Sequence, residues 1–452
     1  MASPAAYGIL SHVATVLPTH GVGSRSDLPL PFGALLVSAL AALVISFLAI
    51  GVLWREPRLD RSQGLLLPDP VAAVLESRWV RRVAQALSIA LTLWTLTALL
   101  LGPDSARNPV PHVVYVWLWV GLAFASMLFG PVWRVINPLR LLHTGLLRLA
   151  RVSPDLAVLP YRFGWWPAAI ALGIFTWVEL VANDNTSLPF LRLLVLAFLL
   201  VSVLGAAVFG RAWFDRADPF EAWSRLLGAL APVGRRADGR WVLRTPLHGI
   251  NELRGERGLV ATVAVMLGST AYDGFSANLA WATFVQTSTV SASVLKTATL
   301  LAFFAAVALT LWLASAVSMA LARRALRDSF DFVSDIAPSL VPIAGGYVVA
   351  HYWSLFVYQT PVGLALLSDP LGTGANLLGT AGLRPDDTLV QATLVATIQA
   401  GSIVLGHLLG VLAAHERAVT VLDRRSAIVG QVPLMVIMLF YTFAGLTILF
   451  AP

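Results

Sequence analysis

"GLVATVAVMLGSTAYDGF", residues 258–275, is an eighteen-residue run with one charge, Asp273. At about 1.5 Å per residue a helix of this length covers roughly 27 Å, close to the roughly 30 Å of bilayer hydrocarbon. By itself the run fits either the core of a large soluble protein or a membrane span. The rest of the chain decides. Of 452 residues, 58% are hydrophobic and 12% are charged, against about 45–50% and about 25% in soluble domains. Mean hydropathy is +0.78. Too few charged residues remain to cover a soluble core of this size, so the chain reads as an integral membrane protein.

Apolar runs of similar length recur. They predict an all-α, polytopic membrane helical bundle of about ten transmembrane helices, near 32–54, 83–102, 113–131, 165–182, 190–210, 258–275, 295–322, 337–360, 388–414 and 428–450. A re-entrant segment at 276–294 is compatible with the pattern. Arginine sets the orientation. Loops 55–82, 132–164 and 211–257 carry six, five and nine arginines, and the last two loops on that side carry three each. Only Arg25, Arg107, Arg192, Lys296 and Arg384 fall on the other side. Basic loops stay in the cytoplasm, so both termini are expected outside a bacterial cytoplasmic membrane. Residues 1–31 read as an external arm and 32–452 as one helical domain. The net charge of +7 is accounted for by these loops, so no nucleic acid is expected as a partner; the lipid bilayer is.

The chain has no cysteine, which excludes disulfides, thiolate catalysis and thiolate metal ligands. The first nineteen residues make a poor signal peptide, lacking a charged leading region. Cleavage before His20 would nevertheless leave an N-terminal histidine able to chelate copper.

One stretch repeats. "FGPVWRVINPLRLL", 129–142, and "FGRAWFDRADPFEAW", 209–223, both read Phe-Gly-x-x-Trp, then Asn or Asp before Pro. Glycine ends a membrane helix, tryptophan anchors at the interface, and Asn or Asp caps a new helix that starts with proline. Both new helices are expected to be amphipathic and to lie in the headgroup plane.

Ionisable residues inside spans are rare and informative. Asp273 lies about 22 Å from the start of its span. His351, in "GGYVVAHYWSLFVYQ", lies at similar depth, and His407, in "VLGHLLGVLAAHERA", lies nearer the cytoplasmic side. Glu179 sits near the outer end of its span and can snorkel. Polar stripes run along three helices: Thr262, Ser269 and Asp273; Tyr347, His351, Ser354 and Tyr358; Gln399, Ser402, Gly406 and Gly410, with His407 one position off. Such spacing defines one helix face. Polar faces turn inward in hydrocarbon, and Gly406 with Gly410 admits a close neighbour. Asp273, His351 and His407 are therefore expected to meet inside the bundle. There they could hold one divalent metal ion and activate water, relay protons, or simply pin helices by hydrogen bonds. No tight ligand spacing such as HExxH selects the metal, and no GxSxG elbow indicates a serine hydrolase. Lesser signals have plainer readings. "HGINE", 248–252, is a solvated helix start. The glycine-rich loop 368–387 is an external cap, and "HER", 415–417, is an interfacial His and Arg.

The stretches "HGVGSRSDLPLPFG", "RGERGLVATVAVMLGSTAYDGF", "HYWSLF", "SDPLGTGANLLGT" and "GHLLGVLAAHERA" resemble an integral membrane family, largely actinobacterial, labelled fenitrothion hydrolase. The resemblance runs from His20 to about Tyr441 and brings no residue roles with it. It implies a membrane-embedded hydrolase of organophosphate triesters, and the Asp/His constellation is compatible with that activity, since a lipophilic small molecule could reach an intramembrane site from the bilayer. The same constellation fits a multi-pass transporter or metal-handling protein, whose site would also lie near mid-membrane.

Overall fold

The computed structural model describes residues 27–54, 56–59, 63–153, 156–322, 328–422 and 429–450. The expectations for most of the N-terminal arm, for the leader and for His20 lie outside the described residues. Among the described residues, nine helices are long and apolar enough to cross a membrane, and a tenth apolar helix is shorter. We label these ten in chain order. They are α1 Phe32–Leu53, α2 Arg78–Leu101, α3 His112–Phe129, α4 Trp166–Leu180, α5 Leu188–Phe209, α6 Leu259–Ser276, α7 Ala292–Leu321, α8 Val341–Leu367, α9 Ala392–Val421 and α10 Val432–Leu449.

The ten match the ten expected runs. The fourth is the exception in length. Fifteen residues reach only about 22 Å. The helix is stopped early because Asn185 turns back and donates to the carbonyls of Val178 and Glu179, at 3.0 and 2.8 Å. Region 276–294 holds a short exposed helix, Leu279–Thr287, ahead of α7.

Burial separates centre from rim. Of the most apolar windows, 78% is buried for the helix ending at Leu367, 67% for α6 and 50% for α9, but 11% for α1 and α2. The rim helices expose Val37, Ile45, Leu48, Leu87 and Leu93, and α5 exposes Leu193, Leu196 and Leu204. So continuous an apolar surface suits hydrocarbon and not water. At the centre α8 and α9 pack backbone to backbone. A Cβ on Gly406 would stand 2.7 Å from the Pro342 carbonyl, and one on Gly346 would strike the Ser402 carbonyl.

The arginine-rich end adds what the helical pattern did not announce, a three-stranded antiparallel sheet. Strands β1 Leu65–Leu66, β2 Val233–Arg235 and β3 Trp241–Leu243 lie in the order β1-β3-β2. It ties loop 55–82 to loop 211–257. The repeat forms the predicted caps. Gly130 and Gly210 end α3 and α5 with φ of 86° and 59°, a conformation that glycine adopts without a Cβ clash. Asn137 accepts from the amides of Leu139 and Arg140, and Asp218 from those of Phe220 and Glu221. One expectation needs correction. The first cap helix, Pro138–Leu149, buries only Arg140, but the second, Pro219–Gly228, is buried along nearly its whole length and is not interfacial. "HER" is corrected as well. His415, Glu416 and Arg417 are buried. Glu416 accepts from the Trp54 indole and from the backbone amides of Arg58 and Leu59, and Arg417 donates to the Leu253 carbonyl.

Candidate functional site

Asp273 is the fifteenth residue of α6, one turn before its end. Its carboxylate is buried, with 6% of the residue exposed. Two neighbours on α8 reach the same oxygen: Nε2 of His351 lies 2.9 Å from Oδ2, and the Tyr352 hydroxyl donates to Oδ2 at 2.9 Å. Successive residues on a helix point about 100° apart, so His351 and Tyr352 straddle the carboxylate. Their rings meet edge to face, centroids 4.9 Å apart. Both residues are almost fully buried. A buried carboxylate without partners would be strongly destabilising; here two side chains from a facing helix answer it.

A second carboxylate is carried by a helix packed against α6: Glu179, on α4. Its Oε2 is buried and makes no hydrogen bond to any described residue. The snorkelling expected of Glu179 is therefore corrected: α4 ends early under the Asn185 cap, and the side chain faces the bundle. The Trp119 indole of α3 borders Tyr352. Trp119 is stacked in turn on Trp223 of the second cap helix, centroids 4.1 Å apart.

Of the three residues expected to meet, Asp273 and His351 do. His407 is fully buried, but its Nδ1 hydrogen-bonds the Ile403 carbonyl of its own helix at 2.8 Å. Its ring packs 6.3 Å from Tyr347. Among the described residues no three His, Cys, Asp or Glu side chains are grouped to hold a metal ion. The donor set that gathers at Asp273 thus does not make the expected three-ligand centre. Thr262 and Ser269, the rest of the α6 stripe, turn back to the Gly258 and Met266 carbonyls of their own helix. His248 and Glu252 also go separate ways, to Thr245 and to Arg244.

Two members of the cluster escaped the sequence reading. Tyr352 looks like aromatic filler, and only its place beside His351 marks it. Glu179 looks like a helix-end acid, and the asparagine six residues later was the available signal. Chemically, the cluster is a carboxylate shared by an imidazole and a phenol, with another acid on the helix packed against it. It can hold, accept or pass a proton. Comparison with family models, with curated proteins and with solved structures finds no match, so the site has to be read from its own chemistry.

Proposed function

We propose that the chain is a multi-pass protein of a bacterial cytoplasmic membrane, arginine-rich loops inside and termini outside, and that the Asp273 cluster is a proton-exchanging centre of transporter type. One observation carries this reading: the Asp273 oxygen shared by His351 and Tyr352, each at 2.9 Å. Chains of Asp, Glu and His within membrane segments mark proton relays and ion paths. A carboxylate held between a ring nitrogen and a hydroxyl changes protonation with little atomic movement. The placement between α6 and α8, two of the most enclosed helices, supports a site at the heart of a bundle rather than on its surface. The loop arginines support the orientation.

The resemblance to organophosphate hydrolases favours a second reading on the same pair. An imidazole oriented by a carboxylate is the base half of a hydrolytic site. His351 would then take a proton from water as the water oxygen bonds to the phosphorus of a lipophilic phosphotriester; the P–O bond to the leaving group breaks, its oxygen departs with that electron pair and takes the proton back from the imidazolium, and Asp273 fixes the ring.

The two readings separate in one preparation. Protein in liposomes, given a pH jump, should show an infrared carboxyl band that vanishes in Asp273→Asn, and dye-reported proton flux under an imposed potential should fall with it. Identical spectra and flux in the wild type and Asp273→Asn would sink the proton-exchange reading. Fenitrothion cleavage by the wild type that is lost in Asp273→Asn would shift the conclusion to the hydrolase.

A further inference from the structure

Buried side chains away from the cluster are left with polar atoms that no protein group answers. Both ends of the Gln399 amide, Nε2 of His407 and the Ser339 hydroxyl make no hydrogen bond to any described residue. Gln399 is 1% exposed, His407 0% and Ser339 2%. Each unanswered group costs about 1–3 kcal/mol, and helices this tightly packed had apolar alternatives at every one of these positions.

Their placement is ordered. α8 and α9 run antiparallel, and their close approaches fix the register. Gly346 meets Ser402 and Gly406, and the Ser339 carbonyl would stand 3.1 Å from a Cβ on Gly410. Ser339 is therefore level with Gly410. Counting outward from Gly346 along α8 and backward from Gly406 along α9 brings Gln399 level with His351. Gln399 lies on the α9 stripe that also carries Gly406 and Gly410, the face turned to α8. His407 stands between these levels, about 12 Å of helix from Gln399, with the Tyr347 ring beside it. At the arginine-rich end Ser339 lines a small cleft with Asp335, Asn251, Glu416 and Arg417. The unanswered groups therefore run from that cleft to the Asp273–His351 pair.

We propose that a file of water molecules runs beside the α8–α9 seam, around the close Gly346–Gly406 approach, from the arginine-rich end to Asp273, bound by Ser339, His407 and Gln399. Buried water typically makes about three hydrogen bonds to polar groups of this kind. The path deepens the proton-exchange reading and rests on it for purpose: it is the route by which protons reach His351 and Asp273. The file binds water and changes no covalent bond.

The absence of cysteine makes the test clean. Single variants Ser339→Cys, His407→Cys and Gln399→Cys, in vesicles of both orientations, would be exposed to a charged, membrane-impermeant thiol reagent. Leu405→Cys, on the exposed outer face of α9, is the control. Only thiolate reacts, and each unit by which apolar surroundings raise a thiol pKa lowers the thiolate about tenfold. The path predicts labelling from the arginine-rich side at least about tenfold faster than at Leu405→Cys, fastest at Ser339→Cys. Ser339→Cys changes a single atom, so it probes the mouth even where a deeper variant fails to fold. Rates at all three sites no faster than the control would overturn the proposal, as would labelling only from the opposite side. Labelling reads water access and not proton transfer. Failure here leaves the Asp273 reading standing, and unchanged labelling in an Asp273→Asn background would keep the path even if proton exchange fails.

Discussion

The two copies of the repeat begin alike and end differently. In each, a glycine at positive φ closes a long apolar helix, and an Asn or Asp before proline caps the next one. The caps even touch: the Asn137 amide donates to Asp218 Oδ2 at 2.8 Å. The residues three positions on, Arg140 and Glu221, also face one another at 3.9 Å. Beyond that point the copies part. "PLRLLHTGLLRL" carries long side chains around most of its circumference and keeps one face outward, with Leu142 and Leu146 exposed. "PFEAWSRLLG" alternates large residues with Ala222 and Ser224, and it slips into the bundle. There Ser224 meets Ser126, and Trp223 stacks on Trp119. Since Trp119 borders Tyr352, the buried copy supports the candidate site and the exposed copy does not. A shared start motif thus sets where a helix begins, and its side-chain volumes set where it goes.

The sharpest way to break this comparison is at Trp223. Trp223→Ala removes a ring that is 1% exposed and whose indole donates to the Trp119 carbonyl at 3.1 Å. A cavity of that size costs about 3–5 kcal/mol. Leu142→Ala, in the exposed copy, should change stability by about 0.5 kcal/mol or less. Thermal unfolding in detergent micelles reads both. Comparable losses from the two variants would show that the copies are equally buried. Trp223→Ala should also weaken the carboxyl band of Asp273 through Trp119, and Leu142→Ala should leave it alone.

Acid and base split the copies next. Burial, opposed in part by Arg140, lifts the Glu221 carboxyl from 4.5 to about 7; Asp218 and Asp215 add to the rise and Arg134 counters it. A carboxyl raised in the folded state stabilises fully below its unfolded value, and that contribution is lost as pH climbs towards about 7. The loss is on the order of 3 kcal/mol. Glu221→Gln should therefore match the wild type near pH 4.5 and exceed it in melting temperature at pH 8. Arg140→Gln, at the equivalent place in the exposed copy, should show a gap of the opposite sign: without the guanidinium that restrains it the Glu221 carboxyl rises further, so the variant should melt increasingly below the wild type as pH climbs past about 7. A gap between Glu221→Gln and wild type that does not change with pH would remove the buried acid from the account.

Which of these features could be read beforehand follows from their range along the chain. Apolar runs and arginine asymmetry are local, and they located all ten helices. The caps were legible too, since Asn137 and Asp218 act on amides two and three residues away. What depends on distant partners was not. The strands hold two or three residues each: β2 and β3 pair as a hairpin within loop 211–257, and β1 forms only because loop 55–82 meets that hairpin. At the site, Asp273 and His351 were legible as charges in apolar runs, but Tyr352 gains meaning only from the Asp273 it meets, and Glu179 only from the packing of α4 on α6. His407 went the other way. A histidine on a helix can satisfy itself on the carbonyl four residues back, and its bond to Ile403 leaves no trace in composition or spacing.

The smallest effect tests the one place where the copies act together. Asn137 caps the exposed helix and, through its amide, reaches Asp218, whose other oxygen caps the buried helix. Losing an N-cap costs about 0.5–2 kcal/mol, and the exposed helix bears little else. If the caps are independent, Asn137→Ala should cost that much and add simply to Glu221→Gln. If they form one unit, Asp218 loses a donor that helps hold its buried carboxylate, and the loss should spread to the second helix. The double variant would then depart from additivity by at least about 0.5 kcal/mol. Hydrogen exchange along residues 219–228 distinguishes the two. We expect faster exchange there in Asn137→Ala, because the link to Asp218 at 2.8 Å is shorter than the indole contact from Trp133 at 3.4 Å, and the weaker donor alone cannot replace it.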